Sequence, residues 1–127
     1  MPKRACSVLF ETTRQLEDRL WKIAILARKN SPGAVIAELS AAMLQVYYRD
    51  TRVLSWQMPA SNIPGELRYL KVPGRVYRRL RQSASARNKN VEDLIGQLLW
   101  TGCDFYERIA GRRKKWMFTR SELAREI

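Results

Sequence analysis

Apolar residues along this chain recur first with the short period of a strand and then with the longer period of a helix. Residues 7–13 form a strand-like run, and residues 14–29 place apolar side chains three and four positions apart, the spacing of a helix with one buried face. A break follows at residues 30–33, where Ser31 is a suitable N-cap for a second helix with Pro32 in its first turn. The side chains expected to face inward on the two helices are Leu16, Leu20, Ile23, Ala24, Ala27, Val35, Ile36, Leu39, Met43, Val46 and Tyr47.

The second half of the chain repeats this order of elements. Residues 67–73 form a strand-like run that stops at a proline, and residues 75–87 have the period of a helix. Asn90 then suits the N-cap of a further helix, and Asp93 occupies the position of a capping-box acid. The side chains expected to face inward here are Val76, Leu80, Ser83, Ala84, Leu94, Ile95, Leu98, Phe105, Tyr106 and Ile109.

The two halves align with each other at a nearly constant offset. The offset is 60 residues through the strand and the first helix, where Phe10 aligns with Leu70. It is 59 residues in the second helix, where Tyr47 aligns with Tyr106. Because the identity is low and all helices share one period, chance similarity stays open as the alternative to a true repeat.

This repeat divides the chain into a first unit, a linker, a second unit and a basic C-terminal tail with a short helix. We expect Trp56 and Met58 to pin the linker to the body of the protein, and Thr119 or Ser121 to cap the last helix. The bounds of the four regions are residues 1–50, 51–66, 67–110 and 111–127.

The charge balance points to a polyanionic partner. The chain carries 24 lysine and arginine residues against 12 aspartate and glutamate residues, a formal net charge of +12. This balance favours nucleic acid first and an anionic membrane surface second. No apolar run approaches the roughly 20 residues of a membrane span, and no secretory signal follows the basic start. We therefore expect a cytoplasmic protein that binds nucleic acid and makes no membrane contact.

The chain contains no histidine and only two cysteines, Cys6 and Cys103. Zinc sites and Ser–His or Cys–His nucleophile pairs therefore lack their components. The acids are scattered, and no glycine-rich loop of the kind that cradles phosphate is present. We expect no enzyme activity, no cofactor and no metal site, and free thiols in a reducing compartment, with a disulfide between the two cysteines as the alternative.

Strand, helix, turn and helix within about 45 residues resembles the ribbon-helix-helix superfamily, which includes Arc, MetJ and CopG. The second unit carries the better match. Leu70-Lys71-Val72-Pro73 resembles the strand-ending pattern of the family, and Asn90-Val91-Glu92-Asp93-Leu94-Ile95 resembles the start of its second helix. The resemblance covers approximately residues 6–49 and 66–110.

Members of this family normally dimerise, and each subunit contributes one strand to an antiparallel ribbon that enters the major groove. Two units in one chain imply the same pairing internally, with Val8–Thr12 against Leu70–Val72. The implied fold is mainly α with a short two-stranded antiparallel ribbon, a tandem ribbon-helix-helix pseudo-dimer. This arrangement resembles TraY-type conjugation proteins and the accessory proteins of T-DNA transfer, which also join two units in one chain.

The resemblance also implies which side chains face DNA. If Leu70 and Val72 face the core, the alternate strand residues face the groove. Because phosphates repel Glu11, we expect it either to pair with Lys71 across the ribbon or to accept from cytosine N4. The two strands differ chemically, so an asymmetric DNA site is expected. The residues expected to contact bases are Ser7, Leu9, Glu11, Leu67, Tyr69 and Lys71.

Phosphates are expected at the N-termini of the two second helices, where backbone N–H groups and the positive end of the helix dipole are free. Glu92 is expected to weaken one of these sites, and plain helix capping is the alternative at both. Trp116 either stacks on a partner or anchors the tail. The residues expected to contact phosphate are Asn30, Ser31, Asn90, Val91, Arg75, Arg112, Arg113, Lys114 and Lys115.

These observations favour a sequence-specific double-stranded DNA-binding protein without catalytic activity. It is either an accessory factor in plasmid or T-DNA transfer, working with a relaxase or other transfer proteins, or a transcriptional repressor, and side-by-side association on DNA is left open. A helix-turn-helix fold with residues 94–109 as the recognition helix is the structural alternative. A basic helical module that binds an acidic protein is the alternative function, and its aromatic contacts would be Trp21, Tyr48, Trp56, Trp100 and Trp116.

Overall fold

The computed structural model describes residues 5–53 and 63–126, and this part of the chain is mainly helical with a two-stranded antiparallel sheet. The order strand, helix, helix occurs twice, as the sequence predicts. Trp56 and Met58, which were expected to pin the linker, lie outside the described residues. In chain order the elements are β1 (Ala5–Thr13), α1 (Arg14–Leu26), α2 (Pro32–Arg49), a 3₁₀ turn (Thr51–Val53), β2 (Pro64–Pro73), α3 (Gly74–Ala86), α4 (Val91–Arg113) and α5 (Arg120–Glu126).

Side chains at the predicted caps fix where three of the helices begin. Ser31 Oγ accepts a hydrogen bond of 3.3 Å from a backbone N–H in the first turn of α2. The Asp93 carboxylate accepts one of 3.4 Å from the Asn90 N–H at the start of α4. Thr119 Oγ1, rather than the hydroxyl of Ser121, accepts one of 3.1 Å in the first turn of α5. These bonds satisfy backbone N–H groups that have no partner within the helix.

Among the element boundaries that differ from those expected, two bear on the ribbon and the basic run. β2 begins at Pro64, inside the predicted linker, because the Glu66 N–H donates to the Thr12 hydroxyl at 2.9 Å and holds this segment against β1. α4 continues to Arg113 and ends at Lys114, a left-handed C-cap with φ 57°. The basic run assigned to the tail therefore begins in the last turn of α4.

β1 and β2 pair antiparallel, as the sequence predicts, but Leu70–Val72 lies opposite Cys6–Val8, so within the expected span Val8–Thr12 only Val8 has an expected partner. Of the two alternatives for Glu11, its pairing with Lys71 is wrong, because Val8 lies opposite Leu70 on the inner face and this match fixes a register that separates the two charges. The opposite pairs on the outward face are Ser7 with Lys71, Leu9 with Tyr69, and Glu11 with Leu67.

The inner face of the sheet packs against the helices. Val8, Phe10 and Val72 are buried, which confirms the predicted orientation of both strands. The inward-facing positions predicted on the helices are also buried, except Ser83 and Phe105, which are half-buried. The helical period in the sequence therefore identified most of the core correctly.

α2 and α4 lie in close contact within this core. A side chain at position 102, where the chain has glycine, would place its Cβ 2.9 Å from both Leu39 Cγ and Met43 Cγ. Only glycine allows the two helices to approach this closely without repacking. The C-terminal segment adds to the same body, because Phe118 and Leu123 are buried and α5 contacts α2.

A buried polar cluster joins the sheet to α1. The Glu17 carboxylate accepts hydrogen bonds from Arg68 Nη2 at 2.6 Å and from the Thr12 hydroxyl at 2.8 Å. At Gly65, a Cβ would lie 2.5 Å from Thr12 Oγ1, so the backbone of β2 closes directly over the cluster. Because a buried carboxylate needs such partners, the cluster favours one relative position of β1, β2 and α1.

Replacing Glu17 with alanine is expected to lower the free energy of unfolding by about 2–3 kcal/mol, because Arg68 and Thr12 lose their partner in a buried site. Asp18→Ala is the matched control: Asp18 is the next residue of α1, and its side chain is 67% exposed where that of Glu17 is 5% exposed. The control should change stability by less than about 0.5 kcal/mol. Urea unfolding followed by circular dichroism measures both values, and equal effects would contradict the cluster's role.

The two cysteines are both free, so the disulfide alternative is wrong. Burial raises the pKa of the Cys103 thiol to about 12, whereas Cys6 is only partly buried. Since the thiolate is the reactive form, iodoacetamide at pH 8 should alkylate Cys6 first and Cys103 only after unfolding. Peptide mapping by mass spectrometry, with and without urea, measures the two rates. Equal rates in the folded protein would place Cys103 at the surface.

Candidate nucleic-acid interface

The outward face of the ribbon, β1 and β2 together, presents six side chains in three opposite pairs. All six residues predicted to contact bases are exposed there, with Leu67 at 64% and Tyr69 at 73%. Leu9 and Tyr69 form the central pair, Ser7 and Lys71 lie at one end, and Glu11 lies at the other end. Exposed large apolar side chains on a sheet indicate a surface that contacts a partner. The six side chains of the outward face are Ser7, Leu9, Glu11, Leu67, Tyr69 and Lys71.

The two ends of this face differ in charge. Directly opposite side chains in an antiparallel pair have Cβ atoms about 5 Å apart, so Ser7 and Lys71 together present hydrogen-bond donors. Glu11 lies opposite the apolar Leu67 and presents only acceptors when ionised. Within the described part of the chain, neither Lys71 nor Glu11 forms an ion pair. Both charges are therefore available to a ligand.

The N-terminus of α2 lies beside one end of the ribbon. A Cβ at Gly33 would come within 3.9 Å of Arg68 Nη1, and Arg68 adjoins Leu67 in β2. Asn30 is exposed, Ser31 is half-buried, and the first turn of α2 contains no acid. This terminus therefore keeps the positive end of the helix dipole free of local negative charge.

The N-terminus of α4 is chemically different. Its first turn contains Glu92 and Asp93, and the Asp93 carboxylate already accepts a hydrogen bond from the Asn90 N–H. The Val91 side chain is buried, so only the backbone of this residue can serve a ligand. Two carboxylates at a helix N-terminus compete with an incoming anion, which makes this the weaker anion site of the two.

Arginines crowd the exposed face of α3, but two of them are held by α2. The guanidinium groups of Arg75 and Arg79 lie 5.0 and 4.7 Å from the centre of the Tyr48 ring. Arg79 also donates to the Tyr48 carbonyl oxygen at the end of α2. Arg78 and Arg81 are exposed on the same helix. All four side chains are exposed, and two of them also contact Tyr48 of α2.

The densest basic run of the sequence, residues 112–115, forms ion pairs with acids of α5 at three of its four positions. Arg112 and Arg113 both pair with Glu126, and Lys115 Nζ lies 3.2 Å from Glu122 Oε2. Lys114 is exposed at the C-cap of α4. Ion pairing of this kind lowers the positive field that the run would otherwise present.

Trp116 anchors the tail. Its ring stacks on Tyr106 with centroids 6.2 Å apart, and the Tyr106 hydroxyl donates to the Trp116 carbonyl oxygen. The environment is apolar enough that burial raises the pKa of Tyr106 to about 12. A Phe118 ring packs edge-on against the same tyrosine. The basic run is therefore presented from a fixed segment.

Most aromatic side chains that supported the protein-binding alternative are engaged within the chain. Arg19 stacks over Trp100 at 4.4 Å, and Tyr48 and Trp116 have the contacts described above, whereas Trp56 lies outside the described residues. Trp21 differs, because it is 49% exposed. With the neighbouring Ile25 and Leu26, it forms an exposed apolar patch on α1.

Sequence reasoning missed two features of this region. One is the contact of Arg68 and Glu17, which places a cation of β2 next to the N-terminus of α2. The other is a groove between α2 and β2, for which the sequence carried one signal: Gly33, Ala37 and Ala41 place small side chains along one stripe of α2. In the described residues, no helix is long and apolar enough to cross a membrane, and no cluster of acids and cysteines suits a metal ion.

Comparison of the chain with protein-family models, with curated proteins and with solved structures finds no match. The resemblance to ribbon-helix-helix proteins therefore rests on the chain's own residues, on the order of its elements and on the pairing of its two strands.

Proposed function

We propose that this chain is a tandem ribbon-helix-helix pseudo-dimer that binds a specific double-stranded DNA site, with the outward face of the ribbon in the major groove. The observation that carries the proposal is that the register of the two strands agrees with the offset of the sequence repeat. Leu9 pairs with Tyr69, which is also its counterpart at the sequence offset of 60. A twofold axis between two equivalent units would pass through such a self-paired position.

The flanking pairs follow from this central pair. Ser7 pairs with Lys71, the counterpart of Glu11, and Glu11 pairs with Leu67, the counterpart of Ser7. Antiparallel pairing makes this reciprocity follow from the central pair, so the evidence for the axis is that the self-paired position lies near the middle of both strands.

Contacts between the helices support the same relation. Arg19 of α1 reaches Glu107 of α4 at 3.1 Å, and its counterpart Arg79 of α3 contacts Tyr48 of α2. Tyr48 and Glu107 are themselves counterparts at the offset of 59. Each first helix therefore uses an arginine from the same position to hold the second helix of the other unit.

The outward face has the chemistry that base reading requires. The major groove is about 12 Å wide and admits a two-stranded ribbon. Lys71 and Ser7 can donate to guanine acceptors, Leu9 and Leu67 can contact thymine methyl groups, and Glu11 can accept from cytosine N4. Tyr69 can bond a base edge or a phosphate. Since counterpart positions hold different side chains, we propose that the DNA site is not a palindrome.

The net charge of +12 and the acid-free N-terminus of α2 supply the phosphate contacts of this proposal. Asn30 and Ser31 would form the stronger clamp, and Asn90 and Val91 the weaker one. Lys114 is the residue of the basic run best placed to add affinity that does not depend on sequence, since its neighbours pair with acids.

For the biological role we propose an accessory factor of plasmid or T-DNA transfer. The observation that favours a protein partner in addition to DNA is the exposed patch of Trp21, Ile25 and Leu26 on α1, whose α3 counterparts are Arg81, Ser85 and Ala86. A relaxase or a second copy of the chain on neighbouring DNA would cover it. A transcriptional repressor would use the same DNA-reading face and is the alternative role.

Lys71→Ala tests the reading of bases. Selection from random duplexes first yields the preferred site, and fluorescence anisotropy then measures binding to that site and to scrambled DNA. The variant should lose about 1–3 kcal/mol on the preferred site and much less on scrambled DNA, because a base contact carries discrimination. Lys22→Ala, which removes an exposed lysine of α1, should leave the discrimination unchanged. An equal loss on both DNAs would reduce Lys71 to a phosphate contact, and no loss would refute the proposed face.

Glu11→Lys tests the twofold relation of the ribbon. This change gives both strands lysine at counterpart positions, so sites selected by the variant should become more nearly palindromic, with guanine at both ends. The variant should also bind scrambled DNA more tightly and with a steeper salt dependence, since one carboxylate is replaced by one cation. Selected sites that keep the original asymmetry would contradict a symmetric placement of the two strands.

A further inference from the structure

An apolar groove of about 960 Å³ lies between α2 and β2 and continues to the start of α3. Its volume is at the upper end of the range of about 300–1,000 Å³ that is typical of small-molecule sites. Buried apolar side chains form its floor, among them Ile36, Leu44, Leu70 and Val76. The groove shares Leu67, Tyr69 and Lys71 with the proposed base-reading face, whereas its side along α2 has no part in that proposal.

The groove exists because α2 carries small residues on the side that faces β2. Gly33, Ala37 and Ala41 line it along α2, and at the position of Ala41 the other unit has Trp100. From Gly33 to Ala41 this stripe of α2 is about 12 Å long at the helical rise per residue. The stripe offers an elongated apolar surface rather than a round cavity.

The charges around the groove are of one sign and are placed towards one end. Its lining in the described part of the chain includes Arg49, Lys71 and Arg75 and contains no acid. Arg75 lies over the Tyr48 ring at 5.0 Å, which brings the start of α3 to the end of α2 where Arg49 is located. At the opposite end, beside Gly33, the charge of Arg68 is balanced by Glu17.

We propose that this groove binds a free long-chain carboxylate. The carboxylate would lie at the end with Arg49, Lys71 and Arg75, and the hydrocarbon tail would run along Ala41 and Ala37 towards Gly33. Three cations without an ion pair in the described part of the chain match the head group, and the small-residue stripe matches the tail. The polarity of the groove thus selects an anionic amphiphile over a neutral or cationic one.

Occupation of the groove would also affect the ribbon, because Lys71 belongs to both surfaces. A carboxylate bound to Lys71 would withdraw it from DNA, so the ligand would weaken specific binding. This consequence rests on the proposed function, whereas binding of the amphiphile itself does not.

Isothermal titration of the DNA-free, full-length chain with dodecanoate, below the concentration at which it forms micelles, tests the proposal. Dodecanoate should bind saturably with one site per chain, and dodecyltrimethylammonium, which has the same tail and the opposite charge, should bind at least about tenfold more weakly. Equal binding of the two amphiphiles, or the absence of a saturable site, would overturn the proposal.

Variants locate the site. Ala41→Trp fills the stripe and Arg75→Gln removes a cation, and each should weaken dodecanoate binding at least about tenfold. Ala86→Trp and Arg81→Gln make the same changes at exposed positions of α3 outside the groove, and neither should alter binding. If Ala41→Trp fails to fold, as judged by circular dichroism, Arg75→Gln and Lys71→Gln carry the test.

Loss of affinity in the control variants would place the amphiphile elsewhere and overturn the proposal. Binding that appears only after residues 54–62 are replaced by a glycine–serine linker would also overturn it, and would assign the groove to that segment of the chain. These titrations contain no DNA, so a failure to bind dodecanoate would leave the DNA proposal standing.

Discussion

The pairing of β1 with β2 is the constraint on which the rest of the molecule depends. A two-stranded ribbon is marginally stable by itself, and here its strands come from opposite halves of the chain, so that Thr12 bonds to Glu66 across 54 residues. Each strand leads directly into a helix, so the register of the ribbon sets where α1 and α3 begin. Because loop closure within one chain costs little compared with association of two chains, both units fold as one body.

Much of this body could be predicted from the sequence, because the relevant physics is local. The helical period identified the buried faces, and the caps at Ser31, Asn90 and Thr119 marked where helices begin. The register could not be predicted, since no tight turn joins the strands and the inner-face match of Val8 with Leu70 decides it. The cluster of Glu17 and Arg68 was equally inaccessible, because it joins residues that only the folded ribbon brings together.

The two strand–helix–helix units have the same order of elements but differ in the side chains that they carry at equivalent positions. Counterpart arginines hold the opposite second helix in both, yet one rests on Glu107 and the other on the carbonyl and ring of Tyr48. An obligate homodimer must repeat every change on both sides of its axis, whereas a single chain can change one side alone. In the proposed pseudo-dimer, the unlike ends of the ribbon and the groove on α2 would both follow from this freedom.

The formal charge gives no information about where an anion would approach, but the ion pairs do. Arg19, Arg68, Arg112 and Arg113 are all matched by carboxylates at close range. In the described part of the chain, β2 and α3 carry more cations without such a match, namely Lys71, Arg75, Arg78, Arg79 and Arg81, than the first unit, which has Lys22, Arg28 and Arg49. Unpaired cations are therefore most numerous on β2 and α3, the elements that include and follow Lys71. These cations lie towards the end of the ribbon that carries the hydrogen-bond donors, so in the proposed function they would orient DNA before the base contacts form.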